Sequence, residues 1–224
     1  MAKKRIKLLD LSILALVGIM AISSMLLVSH SGINKPKKAI PHMDTSIVRL
    51  LDVETGRFFC SGVVISDIQI LTAAHCVLRE SMFGGYDVVR KVEIRASDNR
   101  VLGLYADFVN ANPRQDVALL SGNFSMFDKM DVEIRPTALE KSYLQSDHIK
   151  ACGYPDGGAL VCTKVASVRH QLFGFSADGF LYPGMSGGPV IDEETGLVIG
   201  VNTAVYESRI YLSPTVELFK QLQP

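Results

Sequence analysis

Three residues of this chain have the types and settings that nucleophilic acyl transfer requires. Ser186 stands in the run Tyr182-Pro183-Gly184-Met185-Ser186-Gly187-Gly188-Pro189-Val190. Glycines admit positive φ and let a ligand approach the backbone closely. A reactive serine needs both, because its Oγ must project from a tight turn while nearby N–H groups point at a developing oxyanion. His75 closes the apolar run Leu71-Thr72-Ala73-Ala74-His75-Cys76, and Asp116 opens Gln115-Asp116-Val117-Ala118-Leu119-Leu120. A hydroxyl becomes a nucleophile when a base takes its proton, and an acid that fixes the base in one tautomer makes it effective. Singly, each residue has a plainer reading: a glycine turn, a core histidine, a strand-start cap. Jointly they supply one candidate for every role.

The runs "LTAAHC", "DVALL" and "GMSGGPV", in that order, resemble the His, Asp and Ser motifs of the chymotrypsin-type (trypsin-like) serine peptidases. The candidates lie 41 and 70 residues apart, spacings that also resemble that family. Within it, "DGFLYPGMSGGPVID" and the later "GLVIGVNTA" are most similar to the HtrA-like branch, and the resemblance runs from near Thr45 to the C-terminus. It implies that Ser186 attacks the scissile carbonyl, His75 acts as base and then acid, and Asp116 orients His75. The oxyanion hole would be the N–H groups of Gly184 and Ser186. The substrate pocket walls would be Phe180, Leu181 and Tyr182 on one side and Asn202, Thr203 and Ala204 on the other. The trypsin branch has an acidic pocket floor where Phe180 stands, and the related glutamyl endopeptidases have a His where Asn202 stands. Neither charged specificity is therefore expected, and the preference should be for small or medium apolar side chains. In the trypsin branch an Asp just before the nucleophile pairs with a newly released N-terminal amine. Met185 occupies that position and cannot do so. Local packing must then form the hole, with Pro183 limiting the backbone and Asp178 bracing the loop. No PDZ module of the HtrA-like kind is expected, and the oligomeric state stays open.

Groups this far apart in the chain need a rigid frame, and the hydrophobic period supplies strands. Residues 46–53, 57–66 and 68–72 are short, rich in Val, Ile, Leu and Phe, and broken by turn signals such as Glu54-Thr55-Gly56. Residues 73–78 read as one helical turn carrying His75. Residues 88–96 alternate, Asp98-Asn99 turns the chain into 101–109, and 117–121 follows Asp116. After Arg135 the pattern returns at 149–154, 159–169, 188–192, 197–204 and 209–213, with a glycine-rich loop leading to Ser186. Short strands with few helical patterns predict an all-β barrel or sandwich. Two sets of them suggest two six-stranded antiparallel β-barrels, the chymotrypsin-like fold that the resemblance also implies. The triad would lie between them, His75 and Asp116 from the first barrel and Ser186 from the second. Residues 215–222 read as a short C-terminal helix that packs Val216 and Phe219.

The N-terminus differs from the rest. Residues 1–10 carry Lys3, Lys4, Arg5 and Lys7, and residues 11–28 are an uncharged apolar run. A basic flank followed by such a run begins a signal peptide or a signal anchor. Its length suits a transmembrane helix better than a signal-peptide core, and no Ala-x-Ala cleavage site follows. An anchored chain with residues 45–224 as an extracytoplasmic peptidase domain is expected, or a secreted one if the segment is cleaved. Residues 29–44, with Pro36 and Pro41, read as a linker.

Net charge is zero, but residues 1–44 hold seven basic and two acidic residues, so the remainder is mildly acidic. That balance gives no reason to expect nucleic acid as a partner. The expected partners are a polypeptide substrate and the membrane. The four cysteines, Cys60, Cys76, Cys152 and Cys162, suit two disulfides in an oxidising compartment. A zinc site is the alternative, but no Cys-x-x-Cys and no second His at ligand spacing occur. Cys152 and Cys162 flank a turn-rich loop, which reads as a bridge across the base of a hairpin, and the resemblance implies Cys60–Cys76. No metal or cofactor is expected. His30, His42, His148 and His170 read as surface or structural. The chain therefore reads as a serine endopeptidase. The other reading is an inactive relative that binds peptides or a partner in the same cleft.

Overall fold

The computed structural model describes residues 46–66, 68–88, 92–96, 101–122, 148–171, 174–206 and 209–214. The expected anchor, linker and C-terminal helix lie outside these residues. No helix among the described residues is long and apolar enough to cross a membrane.

The first six-stranded set is antiparallel: β1 (Ile47–Asp52), β2 (Phe58–Ser66), β3 (Gln69–Thr72), β6 (Val92–Arg95), β7 (Val101–Asn112) and β8 (Val117–Ser121). Pairing runs β1-β2-β3-β8-β7-β6 and returns to β1, which closes the sheet into a barrel. The second set comprises β9 (Ile149–Gly153), β10 (Val161–Gln171), β11 (Gly174–Asp178), β12 (Pro189–Asp192), β13 (Val198–Tyr206) and β14 (Arg209–Pro214). It pairs in the order β10-β11-β14-β13-β12-β9 and closes through β9 with β10. A small hairpin, β4 (Leu78–Glu80) with β5 (Tyr86–Val88), stands apart from both.

Successive side chains of a strand face opposite ways, and this period sorts the core into three layers. Val48, Leu50, Val64, Ile70, Ala118 and Leu120 fill the first barrel. Their neighbours Ile47, Val63, Leu71, Val117 and Leu119 face outward and meet Cys152, Tyr154, Ile191, Val198 and Val201 of the second set. Ile149, Val165, Phe175, Val190, Ile210 and Leu212 fill the second barrel. Strands β1, β3 and β8 are thus buried on both faces, which explains why apolar residues stand side by side in them, as Ile47-Val48, Leu50-Leu51, Ile70-Leu71 and Val117-Ala118-Leu119-Leu120 do.

Three strands depart from the sequence pattern. Within the expected strand 88–96, Val88 belongs to β5 and Val92–Arg95 to β6, and residues 89–91 lie outside the described ones. The hairpin β4–β5 was not expected, and only Leu78 among its residues is even half-buried. β11 forms inside the run read as a glycine-rich loop. Its residues have weak strand propensity, and pairing with β10 on one side and β14 on the other makes the strand.

Both disulfides are present, Cys60–Cys76 and Cys152–Cys162. The first ties β2 to the single 3-10 turn Ala74–Cys76. The second joins directly opposed residues of β9 and β10 across a separation of 10 residues. Replacing both members of the second pair, Cys152→Ala with Cys162→Ala, should lower the unfolding free energy by about 2–3 kcal/mol through restored freedom of the unfolded loop. Urea denaturation of the two forms measures it.

Candidate active site

His75 sits on the 3-10 turn that ends β3, beside the disulfide. Asp116 ends the turn between β7 and β8, where its N–H bonds Pro113 O at 3.3 Å. Its φ is +53°, a left-handed conformation that Asp tolerates better than most residues. That backbone aims its carboxylate at His75 twice. Oδ1 accepts the His75 backbone N–H at 2.8 Å, and Oδ2 lies 2.7 Å from Nδ1. An ionised carboxylate can only accept, so the contact matches the neutral tautomer with the proton on Nδ1, in which Nε2 presents its lone pair. Side-chain exposure is 47% for His75 and 27% for Asp116, so the pair faces a site that solvent reaches.

Ser186 comes from the loop between β11 and β12. Its carbonyl accepts the Ser61 N–H of β2 at 2.8 Å, a bond from one barrel to the other. Cys76 Sγ stands 3.8 Å from that carbonyl oxygen and 3.9 Å from His75 Nε2, so the imidazole and the Ser186 backbone flank one sulfur. No hydrogen bond joins Ser186 to His75 among the described residues. Cys60, His75 and Cys76 place their donor atoms within 4.8 Å of one another, but the disulfide holds both sulfurs, so the group is no ligand set.

The segment before Ser186 is a tight turn. Met185 N–H bonds Tyr182 O at 3.1 Å, Pro183 takes the second position, and Gly184 takes the third with φ +90°. Pro then Gly is the type II pattern, which demands positive φ at the third residue. Asp156 N–H holds the Pro183 carbonyl at 2.9 Å. In a trans peptide C=O and N–H point in opposite directions, so Gly184 N–H is turned away from Asp156. Neither Gly184 N–H nor Ser186 N–H has an acceptor among the described residues.

Met185 is fully buried, and its Sδ lies 3.3 Å from Tyr182 N. Asp178 does not brace this loop. It pairs with Arg209 directly opposite it on β14. Sequence alone could not place that partner, since only the closed second sheet sets β11 beside β14.

The expected pocket walls occupy different settings. Phe180 is 57% exposed and Tyr182 45%, their rings edge to face at 4.6 Å, while Leu181 packs on the second barrel's core. Asn202 is fully buried, and its Nδ2 donates to Cys152 O at 2.8 Å and Met185 O at 3.1 Å. It therefore braces the serine loop from inside. Thr203 and Ala204 line a cavity of about 400 Å³ together with Gln115, Asp116 and Phe175, and residues 180–182 do not line it. Ser61, Tyr154 and Asp156 carry weight that the sequence reading missed. A serine among small residues and a turn-rich loop gave no signal of it.

Closed antiparallel sheets, a carboxylate-held imidazole and a glycine turn bearing a serine define a peptidase-like class of protein. Residues 60–201 match the trypsin-like peptidase domain family, and the chain belongs to that family. The structure is similar to the active form of the Rv3671c protease of M. tuberculosis, with TM-score 0.63, 20% identity and 83% of each chain covered. The inactive form of that protease gives 0.59 at 20% identity, covering 83% of this chain and 91% of that one. A serine endoprotease from Yersinia pestis gives 0.60 at 19% identity, over 80% of this chain and 61% of that one. Likeness at this level of identity speaks to the fold. No match was found among curated protein sequences.

A Cβ at Gly184 would lie 2.6 Å from Tyr154 O and 2.7 Å from Asp156 N, at a φ that side chains disfavour. Gly184→Ala should therefore destabilise the fold by at least about 1–2 kcal/mol from the left-handed backbone alone. Thermal unfolding of the variant beside the parent checks it.

Proposed function

We propose that this chain is a serine endopeptidase that works through an acyl-enzyme. The observation that carries the reading is the two-point hold of Asp116 on His75, which leaves Nε2 as the basic atom. Ser186 Oγ attacks the scissile carbonyl as its proton passes to Nε2. The carbonyl oxygen becomes an oxyanion, received by the N–H groups of Gly184 and Ser186. The imidazolium, steadied by Asp116, gives its proton to the leaving amine as the C–N bond breaks. Water, deprotonated by the same nitrogen, then releases the acyl group. The missing Ser186–His75 bond fits a free enzyme, where such bonds tighten only with substrate. It also suits the second reading, an inactive module that binds peptides in the same cleft.

A polypeptide substrate would pair its backbone with the end of β13 past Asn202, beyond its pairing with β12, as an added strand. With Asn202 turned inward, the uncharged Phe180–Tyr182 segment and the cavity-lining Thr203 and Ala204 support broad selection of small or medium apolar side chains. Discrimination there is about 1–3 kcal/mol per methylene.

A serine-directed fluorophosphonate should label the full chain and leave Ser186→Ala unlabelled. Asp116→Asn should lower kcat about 10⁴-fold, because the imidazole loses its tautomer. An unlabelled parent protein would decide for the binding module.

The basic flank and apolar run of residues 1–28 support retention at a membrane with the peptidase domain outside the cytoplasm. Intact mass of membrane-extracted protein should include this segment. A mature N-terminus between residues 28 and 44 would show a cleaved signal instead.

A further inference from the structure

Ser61 lies on β2 of the first barrel, immediately after Cys60, and is fully buried. It makes four hydrogen bonds. Its N–H donates to Ser186 O at 2.8 Å, and its carbonyl accepts Thr72 Oγ1–H at 2.8 Å. Its hydroxyl donates to Gly184 O at 2.8 Å and accepts Tyr154 N–H at 2.9 Å. The last two bonds reach different segments. Gly184 belongs to the turn whose N–H groups face the reacting carbonyl. Tyr154 opens the loop that supplies Asp156 N–H, which holds Pro183 O at 2.9 Å.

One hydroxyl therefore ties the held peptide and its holder to the same point. The Pro183–Gly184 peptide can turn over only if φ of Gly184 changes sign, which would carry Gly184 N–H out of position. Asp156 opposes that rotation from one side of the peptide. Ser61 opposes it from the next carbonyl along, and also keeps Asp156 in place through Tyr154. No charge takes part, as the buried Met185 before the nucleophile requires.

Resting on the endopeptidase reading, we propose that Ser61 is a positioning residue for the oxyanion-binding turn, acting through its side-chain hydroxyl. Ser61→Ala leaves Gly184 O and Tyr154 N–H without their partner and frees the turn to populate the flipped form. Loss should then appear where charge develops on the substrate oxygen, not where the peptide binds.

The full chain is assayed with a tetrapeptide p-nitroanilide ending in a small apolar residue. The aldehyde of the same peptide, which forms the oxyanion, and the free peptide acid, which does not, are titrated as inhibitors. Ser61→Ala should lower kcat about 10–100-fold, less than the 10²–10³-fold for outright removal of a hole donor. Affinity for the aldehyde should fall in parallel, while KM and affinity for the peptide acid stay within about threefold. Thr72→Val removes a bond of equal length from the same residue without touching the turn, and should spare aldehyde affinity. If Ser61→Ala does not fold, Ser61→Cys, with a weaker donor and acceptor, should give an intermediate loss. Aldehyde affinity within threefold of the parent in the folded Ser61 variant overturns the proposal, as does an equal loss in Thr72→Val. Parent protein that neither turns over substrate nor takes the fluorophosphonate overturns the endopeptidase reading instead.

Discussion

Four successive carbonyls, those of Pro183, Gly184, Met185 and Ser186, are claimed by partners within the protein, and the rest of the site depends on that. Asp156 N–H takes the first and the Ser61 hydroxyl the second. Gly188 N–H and the Asn202 amide share the third, and Ser61 N–H takes the fourth. A buried carbonyl without a partner costs about 1–3 kcal/mol, which applies most directly at Met185, the fully buried residue of the four. With the carbonyls so directed, the N–H groups of Gly184 and Ser186 are left facing the opposite way.

The partners come from both barrels, so the loop's shape is a property of their contact. Ser61 belongs to β2, Asn202 to β13, and Asp156 to the loop that follows β9. That loop is itself gripped by the first barrel. The Arg49 guanidinium donates to Gly158 O at 2.8 Å and lies 4.5 Å above the Tyr154 ring, and Tyr154 OH reaches Ile47 O at 3.1 Å. The apolar layer of Ile47, Leu71, Leu119, Ile191 and Val201 beneath holds the two closed sheets in register. A slip between them would break these hydrogen bonds together. The hydrogen bonds to the turn itself are thus neutral, and the charge of Arg49 acts one step away, on the loop that carries Asp156.

His75 and Asp116 are held by shorter-range means. Cys60–Cys76 fastens the turn bearing His75 to β2, the strand that also carries Ser61. The left-handed backbone at Asp116 aims both carboxylate oxygens at one residue. The sulfur of Cys76 lies beside both His75 Nε2 and the Ser186 carbonyl, so one covalent staple borders the imidazole and the serine loop.

Much of this was legible in the chain itself. Alternation and turn residues marked most strands to within two or three positions, β8 with the same ends. The His, Asp and Ser runs picked out the candidate side chains, of which His75 and Asp116 meet in the structure, and cysteine placement with the family resemblance gave both disulfides. These features are local: a strand period, a glycine turn and a motif are complete within a few residues. What escaped was set by partners distant in sequence. β11 exists because β10 and β14 flank it, and Asp178 meets Arg209 because closure of the second sheet puts them opposite. Asn202 turns inward because the carbonyls of Cys152 and Met185 are there to receive its amide. The sequence by itself determined which residues are candidates for the chemistry and which segments form most of the strands. Tertiary structure decided which backbone groups of the serine loop are engaged and which are left free, because the orientation of a peptide plane depends on hydrogen bonds from other strands that no local pattern records.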